Sequence, residues 1–166
     1  MGPLWVEMFR YNRWANLHLL GVCATLTKDQ LQLTSPGTYG TVSAIFMHIV
    51  GAEERYLARL GAGQPQLNEK SEFPGIPALI GHATRTADLL ISYAERVTPD
   101  DVLDTTYGGE RYELHSGALL MQAMHHGNDH RTHICTILGS HGLDYGDMDV
   151  WAYAEATGAM KLKGKA

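Results

Sequence analysis

The chain has little with which to grip nucleic acid, span a bilayer or cross-link itself, and each shortage removes a class of function. Lysine and arginine number 13 against 18 aspartates and glutamates, a formal net charge of -5. A surface that tracks phosphates needs a basic face, and the one basic cluster, Lys161, Lys163 and Lys165, reads as a solvated tail. No apolar stretch approaches the roughly 18 residues that a membrane-spanning helix needs. The opening Met1-Gly2-Pro3-Leu4-Trp5-Val6-Glu7 lacks the basic region and apolar run of a secretory leader. A cytoplasmic protein with no membrane and no nucleic-acid partner is the expectation. The two cysteines, Cys23 and Cys135, lie far apart and outside any C-x-x-C pair, so neither a thiolate zinc site nor a redox motif is indicated. Both read as buried thiols in a reducing compartment. Repeats and low-complexity segments are absent as well, and 166 residues fit one domain, 1–166, able to bury a core without staples.

What is present is helical periodicity. Met8, Asn12, Ala15, Leu19, Val22 and Leu26 recur at alternating steps of four and three, the seam of a bundle helix, and Trp5 and Phe9 widen the stripe. Asn12 on that seam calls for a hydrogen-bonding partner inside the core or a polar site facing it. Residues 33–40 form a loop punctuated by Ser35-Pro36-Gly37. Thr41 or Ser43 is placed to cap a second helix whose apolar face is Val42, Ile45, Phe46, Ile49, Ala52, Tyr56 and Leu60. A long Gly- and Pro-rich connection, 61–77, precedes a third helix with its seam on Ile76, Ile80, Ala83, Ala87, Leu90, Ala94 and Val97. Residues 103–114, centred on Gly108-Gly109, suggest a short, poorly formed hairpin. A fourth helix spans about 116–140, and a short fifth one about 149–157. The expected fold is all-α, a four-helix bundle with a short extra C-terminal helix; the long second connection means that helices two and three need not be antiparallel neighbours.

Histidine is the anomaly: nine in the chain, with His125, His126, His130, His133 and His141 within seventeen positions. The seam of the fourth helix runs Leu119, Ala123, 126, 130, 133 or 134 and Ile137, which puts His126 and His130 where leucines belong. An unpartnered buried imidazole costs on the order of 1–3 kcal/mol, so two of them a helical turn apart need a common explanation. Either they are hydrogen-bonded packing residues or they converge on a metal ion, because i, i+4 side chains stack on one face and imidazoles ligate zinc at about 2.0–2.1 Å. His48, on the edge of the second helix's apolar face, supplies a third ligand from a facing element. Three histidines leave a coordination position for water or substrate, the open geometry of a catalytic site. His125 points elsewhere, His133 is a spare imidazole, His82 lies beside the third helix's seam, and His18, His115 and His141 read as surface, loop or helix-end residues.

Three stretches carry a family resemblance. Tyr11-Asn12-Arg13-Trp14-Ala15-Asn16, Gly40-Thr41-Val42 leading to His48-Ile49-Val50-Gly51-Ala52-Glu53-Glu54, and His126-Gly127-Asn128-Asp129-His130-Arg131 stand in an order and spacing that resembles the DinB/YfiT-like family of metalloenzymes, the DinB superfamily. The likeness runs through nearly the whole chain, as far as Leu143-Asp144-Tyr145. It implies an up-down-down-up bundle, a site of His48, His126 and His130 for zinc or nickel, and a homodimer. Some relatives transfer a low-molecular-weight thiol to an electrophile, and one branch isomerises maleylpyruvate with mycothiol. After His130-Arg131 the family often continues Gly-Gln, whereas this chain has Thr132-His133, which alters the surroundings of the site.

The functions weighed are three. A metal-dependent thiol S-transferase acting on a small-molecule substrate would use His48, His126 and His130 as ligands, Asp129 or Glu53 to orient a ligand imidazole, and Arg131 to bind an anionic group of the thiol cofactor. A metal-dependent hydrolase would carry hydroxide at the open position, but no separate general base is evident. A non-catalytic stress protein that binds metal or a small ligand has the same sequence signature.

Overall fold

Two of the helices begin at a side chain that satisfies one of their first free backbone N–H groups. In the computed structural model, which describes residues 4–98 and 100–164, the order is α1 (Leu4–Cys23), a 3-10 turn (Gln30–Gln32), α2 (Val42–Arg59), α3 (Ile76–Ala94), β1 (Val102–Tyr107), β2 (Glu110–His115), α4 (Ser116–Ser140) and α5 (Val150–Ala156). The Thr41 hydroxyl caps α2 by accepting the Ala44 N–H at 3.2 Å, and the Asp149 carboxylate caps α5 by accepting that of Ala152 at 2.8 Å. Pro77 sits in the first turn of α3, where its missing N–H has no intrahelical partner to lose.

The long helices share two apolar clusters, and the membership of each gives their directions. One joins Leu19, Leu20 and Cys23 of α1, Ile45, Phe46 and Ile49 of α2, Ile76, Leu79 and Ala83 of α3, and Ile134, Ile137 and Leu138 of α4. The other joins Val6 and Phe9, Leu57, Leu90 and Ala94, and Leu119, Leu120 and Ala123. The end of α1 therefore meets the start of α2, the start of α3 and the end of α4. The main packing is α1 on α3 and α4, and α2 on α3 and α4. The α5 helix docks on α1 through Tyr153, whose ring packs against Tyr11 and Trp14 and whose hydroxyl donates to Glu7 at 2.6 Å. No helix of the described residues is long and apolar enough to cross a membrane.

The fold is mostly helical but not all-α, which corrects the expected class. Residues 102–107 and 110–115 pair as an antiparallel hairpin with Val102 opposite His115 and Tyr107 opposite Glu110. Gly108 and Gly109, at φ +61° and +86°, supply the two positive-φ residues that a tight primed turn requires. Only Leu103 and Leu114 lean on the core, so the alternation that marks a half-buried strand is too faint to read.

Two seams are also displaced. In α1 Met8 is exposed and the buried stripe runs through Val6, Phe9, Asn12 and Asn16, while in α3 Leu79 is buried in place of Ile80. In α4 the buried positions are Ser116, Leu119, Leu120, Ala123, Gly127, Arg131, Ile134, Ile137 and Leu138. His126 and His130 lie on the flank of that stripe, only partly buried. Truncating Phe46, which has no exposed surface, to alanine should lower the unfolding free energy by about 3–5 kcal/mol, read from urea denaturation at unchanged m-value.

Candidate metal centre

On adjacent faces of α2 and α4, His48, His126 and His130 bring one ring nitrogen each into a group whose members all lie within 4.8 Å of one another. The Nε2 atoms of His48 and His126 are 2.9 Å apart, and the ring centroids of the three residues are separated by 4.4–4.7 Å. Tetrahedral coordination at 2.0–2.1 Å would set ligand nitrogens about 3.3 Å apart, a spacing that lies between the 2.9 Å of the His48–His126 pair and the 4.8 Å that bounds the group.

Protonation favours the same arrangement. The Nδ1 of His48 is 3.0 Å from Oε2 of Glu69, a carboxylate that also pairs with Arg55. Burial raises the Glu69 pKa, but these partners outweigh it and hold the carboxyl below its ordinary value. An ionised carboxylate accepts only, so His48 donates to it through Nδ1. Burial first, then the neighbouring histidines, lower the pKa of His126 and of His130 to about 4. Both rings are neutral at pH 7, as ligands must be. The Nδ1 atoms of His126 and His130 are buried without a hydrogen-bond partner. Three imidazoles from two helices could hold a metal ion.

Aromatic rings and one more imidazole border the group. Tyr39 stacks on His48 with ring centroids 4.2 Å apart and meets His130 edge-on at 4.9 Å. Tyr56 meets His126 edge-on, and His133 stands edge-on to His130 at 5.3 Å with its Nδ1 buried and unpartnered. The remaining five histidines are engaged elsewhere: His82 with Glu54, His125 with Asp129, His115 near Asp100 at 4.0 Å, His141 with the Thr34 carbonyl, and His18 stacked on Trp14.

The residues expected to support the ligands do not all reach them. Asp129 pairs with His125 at 3.0 Å on the exposed side of α4. Glu53 has no exposed surface and accepts from Nδ2 of Asn12 at 2.8 Å and of Asn16 at 3.1 Å. Arg131, 3% exposed, donates from Nη1 to Oδ1 of Asn12 at 2.6 Å and of Asn16 at 2.8 Å. Glu53 and Arg131 are thus joined through two asparagines in a buried polar network, which gives Asn12 the partners its seam position required. Burial raises the Glu53 pKa against the pull of Asn12, Arg131 and Asn16. The structure does not bring Arg131 to the histidines; its guanidinium serves the core, because the α4 stripe places it there. Glu69 is the residue that sequence reasoning missed. It lies 21 positions from His48 in a connection without periodicity, and nothing in that stretch signals the pairing.

Two outcomes follow. A histidine whose folded pKa lies below its unfolded value of 6.5 leaves the unfolded state binding more protons between the two values. Metal-free protein should therefore hold the His126 and His130 contribution above pH 6.5 and lose it as the pH falls towards 4. Thermal unfolding in chelator should show a steeper fall over that window for wild type than for the His126→Ala, His130→Ala double variant. The second outcome concerns Gly127, where an added Cβ would stand 2.9 Å from Oδ1 of Asn12 and 3.0 Å from Nη1 of Arg131. Gly127→Ala should cost about 1–3 kcal/mol, whereas Gly81→Ala, with nothing within 4 Å, should gain several tenths; chemical denaturation of the two variants checks the contrast.

Comparison with known proteins agrees with this architecture. The crystal structure of a DinB-like protein from Bacillus cereus ATCC 10987 superposes with a TM-score of 0.68 at 17% sequence identity, covering 86% of this chain and 94% of that one; at that identity the likeness is one of fold. No curated protein matches the sequence. The sequence model of the DinB family matches residues 1–163, and the chain is therefore a member of the DinB family.

Proposed function

We propose that this DinB-family chain holds one divalent transition-metal ion between His48, His126 and His130 and works as a metal-dependent low-molecular-weight-thiol S-transferase. The observation that carries the reading is the convergence of three ring nitrogens from α2 and α4, two of them on imidazoles that burial keeps neutral. A bound divalent ion would lower the pKa of a thiol at its open position and so supply a thiolate at neutral pH. The chain's own thiols are unsuited to that task. Burial pushes Cys23 up to about 12 and Cys135 to about 11, so both stay protonated and the nucleophilic sulfur has to arrive with a small molecule. The residues around the site then have defined tasks: Glu69 keeps the His48 proton on Nδ1, and Tyr39 covers the face of the His48 ring.

The reading takes 1–166 as one domain, its four long helices as an up-down-down-up bundle, and the chain as a cytoplasmic homodimer. The antiparallel contacts of α1 with α3 at Trp5 and Ala94 and of α2 with α4 at Tyr56 and Gln122 support the helix order. The exposed Trp5, Met8 and Met121 beside an apolar groove are consistent with a second copy, which light scattering would show as twice the chain mass.

Elemental analysis of protein incubated with zinc or nickel should find about one equivalent in wild type and almost none in His126→Ala or His130→Ala. Loaded wild type should then consume a thiol in the presence of an electrophile, and chelation should abolish the reaction. No stoichiometric metal in wild type would refute the centre. Turnover of an ester or amide without thiol would replace transfer by hydrolysis.

A further inference from the structure

The α2–α3 connection does more than join two helices. His48, Gly51 and Arg55 fall on one face of α2 by their three- and four-residue spacing, and the Glu69 side chain lies along that face. Its Oε2 faces His48 Nδ1 at 3.0 Å, its Oε1 pairs with Arg55, and between them it crosses Gly51. The crossing requires a glycine: a Cβ at position 51 would stand 2.7 Å from Oε1 and 2.9 Å from Cγ of Glu69. The backbone just ahead of Glu69 is fixed independently. Oε2 of Glu54 accepts the N–H groups of Gln66 at 2.6 Å and Leu67 at 2.7 Å, while its Oε1 faces Nδ1 of His82 at 2.9 Å and takes a hydrogen bond from Arg85 at 2.7 Å. Glu54 is 5% exposed, so the loop is tied to α2 through a carboxylate that α3 also holds.

We infer that Glu69 is the positioning residue of the histidine centre and that the 61–75 loop is a clasp whose closure over the Gly51 notch is linked to metal affinity. The inference rests on the metal reading above and goes beyond it, assigning to the connection a role in how tightly the centre binds. A carboxylate on the outer nitrogen of a ligand imidazole fixes its tautomer and orientation, and loss of such a partner lowers metal affinity on the order of 10–100-fold. By linkage, an ion that binds more tightly when the clasp is closed must also favour the closed clasp to the same degree.

Zinc affinity measured by competition with a chromophoric chelator tests this on the purified chain. Glu69→Ala should weaken zinc binding on the order of 10–100-fold although it removes no ligand. Glu69→Gln should recover part of the loss, since its amide oxygen still accepts the Nδ1 proton. Gly51→Ala should weaken binding by displacing Glu69, and the Gly51→Ala, Glu69→Ala double variant should be no worse than Glu69→Ala alone, because both changes act through one contact. Hydrogen exchange supplies a readout that a purely structural role would leave unmoved: zinc should slow exchange of the Gln66 and Leu67 amides in wild type and leave it unchanged in Glu69→Ala. If wild type binds zinc and Glu69→Ala binds it within about twofold as well, the inference is overturned and the metal reading stands. Additive losses in the double variant, or zinc-independent exchange at Gln66 and Leu67 in wild type, would overturn the clasp. Failure of wild type to bind zinc or nickel at all would remove the metal reading and this inference with it.

Discussion

An ion pair buried between helices is expensive to desolvate, and it persists only where each charge finds further hydrogen bonds. Glu53 and Arg131 meet that condition in part, through Asn12 and Asn16, each of which donates to Oε1 of the carboxyl group and accepts from Nη1 of the guanidinium, while Oε2 of Glu53 and Nη2 of Arg131 are buried without a partner. The arrangement ties α1, α2 and α4 together at one level of the core, and the rest of the molecule is oriented by it. Successive residues of an α-helix are turned by about 100°. With Gly127 and Arg131 held against the asparagines, His126 and His130 are carried to the flank of α4 that faces His48. The rotation of α4 that satisfies the charges is therefore the rotation that assembles the imidazoles. Slipping α4 by one residue would bring the histidines inward and expose the guanidinium, and its bonds to Asn12 and Asn16 would be lost.

The electrostatics on the two sides of α4 differ. On the core side, a carboxyl group and a guanidinium are bridged by two asparagines, and burial raises the pKa of Glu53 and lowers that of Arg131. On the flank, partial burial and mutual proximity keep His126 and His130 uncharged, while the ionised Glu69 is placed on the outer nitrogen of His48. A positive imidazolium there would repel both its neighbours and any divalent cation. Neutral rings whose lone pairs converge have the reverse preference, so the features that destabilise a protonated centre are the same ones that suit it to a cation.

Much of this was legible in the sequence, and the gaps have physical reasons. The i, i+4 histidines and His48 could be picked out because helical periodicity is explicit in the chain, and the order of the Asn12, His48 and His126–Arg131 stretches points to the DinB family, whose sequence model matches residues 1–163. The depth of the histidines was not legible. A seam through 126 and 130 and one through 127 and 131 differ by a single position, and glycine and arginine carry no apolar signal to reveal that they are the buried ones. Arg131 was assigned to a ligand for the same reason, since a guanidinium reads as a surface group until its partners on α1 are known. The hairpin over 103–114 was legible from Gly108-Gly109, but its extent as two six-residue strands was not, because apart from Leu103 and Leu114 its side chains do not pack on the core. Glu69 escaped because pairing across a loop of irregular sequence leaves no period to detect.

Mid-helix glycines show which of these contacts the fold is organised around. Glycine inside a helix costs about 1 kcal/mol relative to alanine, so its presence asks for a compensating contact. Gly21 and Gly81 have open space where a Cβ would go, and nothing in the structure explains them. Gly51 and Gly127 differ. A Cβ at the first would strike the Glu69 side chain, and at the second Asn12 and Arg131. One notch admits the carboxylate that orients His48; the other admits the asparagine and guanidinium that set the rotation of α4. The absence of two methyl groups, on two helices, thus fixes from opposite sides the geometry in which the three imidazoles meet.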